Sequence, residues 1–278
     1  MNKTIKNIGF ATFLIFSNMI FAQKGSFFVS VQAGTNKIED NTSFITDSGA
    51  FSGSLKAGYI YKLNNVFGVG TGVEFMQYKQ NVTIENDRYT SVLVDDTGSA
   101  FEFNQETAEY SESQTLNSFQ IPLFIQYKKE LTETNSFYFR LGGKLLIPSK
   151  FKINTVAKSL TTTGYYPDFN LEVTDVPSRG FGTQSNFQAT NTYKTKLAYM
   201  ASIELGFDFK LNAVNSIYFG MFLDYGLSNI VDNKESNSIV TYNPSGLPNN
   251  ANGVYSFKND IETKSLNFGV TLGYSFGK

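Results

Sequence analysis

Eight stretches of this chain alternate, residue by residue, between a large apolar side chain and a small or polar one: 25–34, 54–63, 66–78, 118–128, 136–147, 199–211, 216–227 and 265–276. A period of two is the pattern of a strand with two different faces. In the last stretch one face holds Leu266, Phe268, Val270, Leu272, Tyr274 and Phe276, and the other holds Asn267, Gly269, Thr271, Gly273 and Ser275. Across all eight stretches the apolar phase carries no Asp, Glu, Lys or Arg, in a chain whose residues are 17% charged. The opposite phase carries Lys56, Glu74, Arg140, Lys144, Glu204 and Asp224 among many Gly and Ser. A soluble sheet turns its apolar phase to a core, and a membrane barrel turns it to lipid.

The connections decide between the two. Successive segments are joined alternately by long and short linkers, of 19, 2, 39, 7, 51, 4 and 37 residues. Tight turns at one end and long loops at the other are the outer-membrane pattern, whereas a compact soluble domain rarely holds several structureless loops of that length. Tyr61, Phe67, Tyr127, Phe137, Phe209, Tyr274 and Phe276 fall on the apolar phase at the short-turn ends, as an interfacial aromatic girdle would. The expected fold is therefore all-β: an eight-stranded antiparallel transmembrane β-barrel with long extracellular loops. A sheet in lipid cannot leave an open edge, so the last strand is expected to pair with the first.

Composition narrows the chemistry. The chain has no His, Cys or Trp. That removes His-based triads, thiol nucleophiles, disulfides and the usual transition-metal ligands. No catalytic residue, metal ligand or cofactor is expected. The start, MNKTIKNIGFATFLIFSNMIFAQ, has Lys3 and Lys6, a short apolar run and a small residue before Gln23, which reads as a secretory signal peptide over 1–22 cleaved between Ala22 and Gln23. Its removal leaves 21 basic against 24 acidic residues over 23–278, a balance with no sign of a nucleic-acid partner. The protein is expected in the outer membrane of a Gram-negative cell envelope, embedded in outer-membrane lipid, with its loops extracellular and both mature termini periplasmic.

Two groups of residues are candidate sites. The six inward charges Lys56, Glu74, Arg140, Lys144, Glu204 and Asp224 are expected to form one interior ion-pair layer. Turn arithmetic sets Lys56 opposite Glu74 and Glu204 opposite Asp224. Two facing carboxylates could share a proton or hold a cation, or be neutralised by Lys144 and Arg140 as a structural plug. The second group is the loops 79–117 and 148–195, through which a protein partner or surface ligand would be recognised. Loop 79–117 is strongly acidic; its DDTG at 95–98 is too short for EF-hand spacing, and it reads as a solvated face. The runs TSVLV and AFEF beside that turn suggest a hairpin continuing beyond the membrane.

The stretches SFQIPLFIQYK, FYFRLGGKLL, DYGLSNI and NFGVTLGYSFGK resemble the PorT-like outer-membrane β-barrel family, over about residues 24–278. The resemblance implies fold and location rather than an activity, and it implies a possible place as a subunit of a secretion system. A surface-interaction or envelope-assembly role is the expected function; a small outer-membrane channel is the alternative.

Overall fold

The computed structural model describes residues 25–39, 45–84, 88–232, 238–247, 249–256 and 261–277. The signal peptide expected at 1–22 and the Ala22–Gln23 cleavage lie outside the described residues. Fourteen strands follow one another: β1 (Gly25–Glu39), β2 (Ile45–Lys62), β3 (Phe67–Ile84), β4 (Arg88–Val94), β5 (Ala100–Ala108), β6 (Tyr110–Glu130), β7 (Asn135–Tyr166), β8 (Leu171–Val173), β9 (Gly182–Tyr193), β10 (Ala198–Lys210), β11 (Asn215–Gly226), β12 (Val240–Thr241), β13 (Asn250–Ala251) and β14 (Lys264–Phe276).

Eight of them close a ring in the order β1, β2, β3, β6, β7, β10, β11, β14, all antiparallel. Closure is made by β14 against β1, in register from Phe27↔Phe276 to Glu39↔Lys264. No edge is left in the ring, as a strand wall in hydrocarbon requires. The three tight connections are shaped by polar side chains that stand in for backbone acceptors: Asn64 Oδ1 accepts from Val66 and Phe67 N–H, Thr132 Oγ1 from Thr134 and Asn135 N–H, and Asn212 Oδ1 from Val214 and Asn215 N–H.

The outer surface of the ring carries the apolar phase. Val73, Leu123, Leu141, Leu205, Met221, Leu223 and Leu272 all stand exposed on it. The aromatic ring expected at the short turns is present, and a second lies at the other border: Phe51, Phe75, Phe119, Tyr199, Tyr225 and Phe268 are exposed, with Phe75 and Phe119 edge to face at 5.4 Å. On β3, β6 and β14 the two girdles are eight residues apart. That is about 26 Å of strand, or roughly 20 Å of height at a tilt near 40°. The band fits a bilayer-spanning barrel.

The long connections are not structureless. Beyond the second girdle β2, β3, β6 and β7 continue as strands. The β4–β5 hairpin is added to β7 by β5, and β8 and β9 pair with β7 as well. The alternation keeps its parity there while its chemistry inverts. On β3 the outward residues change from Val73 and Phe75 to Gln77, Lys79, Asn81 and Thr83; the inward ones change from Gly72 and Glu74 to Met76, Tyr78, Val82 and Ile84. On β7 the chemistry inverts too, but there a bulge at Pro148–Lys150 shifts the parity: the even-numbered residues up to Leu146 face in, whereas above it Phe151 and Ile153 are buried while Lys150 and Lys152 face out. After β11 the described residues of 230–232, 238–247, 249–256 and 261 lie in this extramembrane cup, with Ile230, Ile239, Val254, Tyr255 and Ile261 buried in its core. Below the girdle lipid is outside and polarity inside; above it, water is outside and an ordinary hydrophobic core inside.

Candidate functional site

The structure places all six inward charges in the barrel and buries each of them. They fall into two linked groups. Glu204 accepts from Arg140 at 2.7 Å and from Lys56 at 2.8 Å. Lys144 bridges Glu74 at 2.9 Å and Asp224 at 2.7 Å. Gln32 joins the groups: with its amide assigned by the surrounding network, nitrogen toward Glu74 and oxygen toward Lys56, it donates to Glu74 Oε1 at 3.0 Å and accepts from Lys56 Nζ at 3.3 Å. Three cations meet three carboxylates, so the layer is neutral and every charge has an opposite partner, the condition for burying ions in a dry interior.

Two details differ from the sequence expectation. Lys56 does stand opposite Glu74 in the β2–β3 register, but each ion-pairs across the barrel, Lys56 with Glu204 and Glu74 with Lys144. In a barrel this narrow the facing wall is as close as the neighbouring strand, and long side chains reach it. Glu204 does not face Asp224: the 211–214 turn pairs Glu204 with Phe222 and Asp224 with Ser202. Among the six charges Glu204 and Asp224 are therefore not a facing pair, and Lys144 occupies the position between Glu74 and Asp224.

The Arg140 guanidinium, at the short-turn side of this layer, lies among four rings, 4.7–5.3 Å from the centroids of Phe28, Phe124, Tyr138 and Tyr218. Glycines make the room. A Cβ on Gly70 would stand 2.3 Å from the Phe124 ring, and one on Gly273 2.1 Å from that of Tyr218. The small residues on the inward phase thus let interior rings lie flat against the wall. Lys128 and Asp208 close the short-turn end at 2.8 Å. The space left beside Lys56, Arg140, Lys144 and Glu204 is about 10 Å³, room for about one water at most.

The extramembrane cup holds the features that sequence reading missed. Glu112, expected to be part of a solvated acidic face, is buried. Its carboxylate accepts from Tyr110 at 2.5 Å, Gln114 at 2.8 Å, Tyr193 at 3.2 Å and the Val254 N–H at 2.9 Å. It ties β6 and β9 to the returning segment. Among the described residues no cation pairs with it, and burial pushes its pKa up against the pull of those donors.

At the rim the core is left uncovered. A cleft of about 430 Å³ lies between the β4–β5 turn, the 166–181 excursion and Tyr242. Phe181 and Tyr242 stack at 5.5 Å in its floor, beside Phe101 and Tyr166 stacked at 5.2 Å. Asp95 shapes the turn, accepting from Thr97 and Ser99 N–H through Oδ1 and from the Tyr166 hydroxyl through Oδ2. The Thr97 hydroxyl bond in particular holds the Asp95 carboxyl below its ordinary range. Burial, and then the Asp95 charge, pushes the Tyr166 phenol up to about 12. Arg179 donates to Asp96 at 2.7 Å. The sequence signal for this cleft was GYYPDFN, a turn that keeps its aromatics; its meeting with Tyr242 and the 95–99 turn depends on pairing across the whole cup.

No protein-family model and no curated protein sequence matches the chain. Among solved structures it is similar to Neisserial surface protein A (8% identity over 91% of this chain and 97% of that one, TM-score 0.37), to the attachment invasion locus protein Ail of Yersinia pestis (12%, 91% and 99%, 0.34) and to the outer membrane protein OprG of Pseudomonas aeruginosa (13%, 92% and 98%, 0.39). Similarity of this size transfers nothing of their roles. The barrel fold rests on this chain's own closed strand pairing and apolar outer band.

Proposed function

We propose that this chain is a non-enzymatic integral protein of the outer membrane whose working part is its extramembrane cup, exposed on the cell surface with the termini periplasmic, and that it recognises a partner there. The observation that carries this reading is the contrast between a filled barrel and an elaborated exterior. The barrel needs only tight turns to close, as at Asn64–Asn65, yet β4, β5, β8, β9 and the buried side chains of Ile230, Ile239, Val254, Tyr255 and Ile261 build a second core above it. Structure beyond what closure requires supports a working surface. The solid interior argues against the channel alternative, since both the ion layer and the Arg140 cage would have to move to open a path. The PorT-like resemblance of the strand motifs fits the same fold and location and would place the partner within an envelope or secretion assembly.

The test has two arms. Purified protein in planar bilayers should show flat conductance. Cross-linking on intact outer membranes should capture a partner, and capture should be lost when residues 167–180 are replaced by a short turn that leaves β7 and β9 paired. Ion conductance above the bilayer background, or capture that survives the replacement, overturns the reading.

A further inference from the structure

The rim cleft has three properties that together specify an occupant. First, it is apolar where the surrounding surface is not. The outward positions of β3 and β7 above the girdle are mostly Lys, Asn, Gln and Thr, yet Phe169 is 66% exposed, Leu171 51% and Val176 37%, all three lining the cleft. Exposed apolar side chains gathered on one concavity, rather than scattered, mark an interaction site. The volume, about 430 Å³, lies in the range of roughly 300–1,000 Å³ typical of ligand pockets.

Second, its polar atoms are already used. Asp95 is occupied by Thr97, Ser99 and Tyr166, and Asp96 by Arg179. A saccharide, which needs many free donors and acceptors, finds few here. A lone metal ion finds no ligand set, because among the described residues no group of three or more Asp or Glu converges.

Third, the charge around it is net negative. The two segments that line it, 95–99 and 166–181, carry Asp95, Asp96, Asp168 and Asp175 against Arg179, while Glu172, between the lining residues Leu171 and Val173, faces the other side of β8. Arg179 and Asp96 cancel one another in their ion pair, which leaves Asp95, Asp168 and Asp175 uncompensated by any cation of these two segments. An apolar hole with an acidic border repels phosphate and sulfate groups and complements a basic chain.

We propose that this cleft docks a basic stretch of a partner polypeptide, with one large apolar side chain entering the aromatic hole and flanking Lys or Arg residues lying along the acidic border. The proposal rests on the reading that the exterior recognises a partner, and it names that partner's chemistry. The aromatic bed serves both halves, since Tyr and Phe faces accept apolar groups and cations alike.

The experiment uses the full mature chain refolded in phospholipid nanodiscs and three fluorescein-labelled peptides: Lys-Lys-Phe-Lys-Lys, Lys-Lys-Gly-Lys-Lys and Glu-Glu-Phe-Glu-Glu. Fluorescence polarisation should show the first binding at least tenfold more tightly than either other peptide, weakening as salt shortens the reach of the acidic border. Phe169→Ser, at an exposed position, and the pair Asp168→Asn with Asp175→Asn should each weaken it severalfold while the gel shift of the folded barrel is kept. Equal binding of the glycine peptide would reduce the site to bare acidity, and equal binding of the acidic peptide to bare apolarity; either overturns the proposal. So would absence of binding, or displacement of the first peptide by maltohexaose. Cross-linking on intact membranes separates the two levels. Capture lost on replacing 167–180 but unaffected by Phe169→Ser sinks the cleft and leaves surface recognition standing; capture unaffected by both sinks both.

Discussion

Lys144→Met should be the most damaging single substitution in the barrel interior. Its ammonium is shared by Glu74 and Asp224 at 2.9 and 2.7 Å. The side chain is only 3% exposed and both carboxylates are fully enclosed. Removing it strands two negative charges, and Asp224 already has one carboxylate oxygen without a partner. Leaving a buried ion uncompensated typically costs about 3–5 kcal/mol, a large share of the roughly 5–15 kcal/mol that holds most domains folded. Lys56→Met is the built-in comparison. It leaves Glu204 still bonded to Arg140 at 2.7 Å and to the Tyr138 hydroxyl at 3.1 Å. Its cost should be smaller, about 1–3 kcal/mol, nearer that of a lost hydrogen bond to a charged group.

The assay is reversible urea unfolding in lipid vesicles, followed by tyrosine fluorescence and by the gel mobility of the folded barrel. Lys144→Met should lose about 3–5 kcal/mol. The triple variant Glu74→Gln, Lys144→Met, Asp224→Asn should recover most of that loss, because neutral groups replace the stranded charges. A Lys144→Met loss under about 1 kcal/mol, the scale of an exposed pair, would refute the reasoning. So would a triple variant no more stable than the single one, or Lys56→Met proving the worse of the two.

Other consequences can be checked alongside. Leu205, exposed at the middle of β10, faces lipid, so Leu205→Arg should cost about 2–4 kcal/mol in vesicles, and a neutral result would reverse the facing assignment. Glu112 sits with a raised pKa in the cup, so the folded state holds its proton more tightly than the unfolded chain does. Stability should fall as pH rises from the ordinary carboxylate value of 4.5 through the raised one, and level off above it. Glu112→Gln should remove that slope; parallel stability curves for the two proteins would mean that Glu112 does not titrate on folding. On intact cells trypsin should cut after Arg179, exposed at the end of the rim excursion, and spare Lys152, which lies in β7 paired on both sides, with Thr115 and Thr192. Cleavage confined to the tight-turn end, after Lys210 or Lys62, would instead turn the barrel upside down.

How much of this was legible in the sequence follows from which interactions are local. The ring of eight was readable because alternation is a property of single strands, and the connection lengths carried the topology. The six inward charges were readable for the same reason. Their partners were not. Lys56 and Glu74 are opposite one another in register yet bond elsewhere, because partner choice depends on distances across the barrel that adjacent-strand arithmetic omits. A shift of two in the summed residue numbers of the 211–214 turn was enough to replace an expected Glu204–Asp224 pair with Ser202–Asp224.

The connections concealed more, and for a different reason. Strand parity continues from β3 into the cup, but the meaning of each phase reverses where lipid gives way to water: Phe75 faces out and Met76 in, one step apart on either side of the border. A reader holding to the rule that the apolar phase faces outward sees Lys79, Asn81 and Thr83 as loop rather than as the wet side of the same strand. The acidic residues suffer the same misreading. Asp96, Glu106 and Glu109 are exposed, but Glu112 falls on the inward parity of β6, two residues from Tyr110 and Gln114, which donate to it. The border itself is written in the sequence as the second girdle, since Phe51, Phe75, Phe119, Tyr199, Tyr225 and Phe268 each fall on the outward phase at one height. Placing that girdle first, and inverting the phase rule beyond it, assigns the cup's core from Met76, Tyr78, Val82 and Ile84 on β3 alone. What that procedure still cannot reach is the rim cleft, because its walls come from three segments that meet only after β5, β8 and β9 have paired with β7.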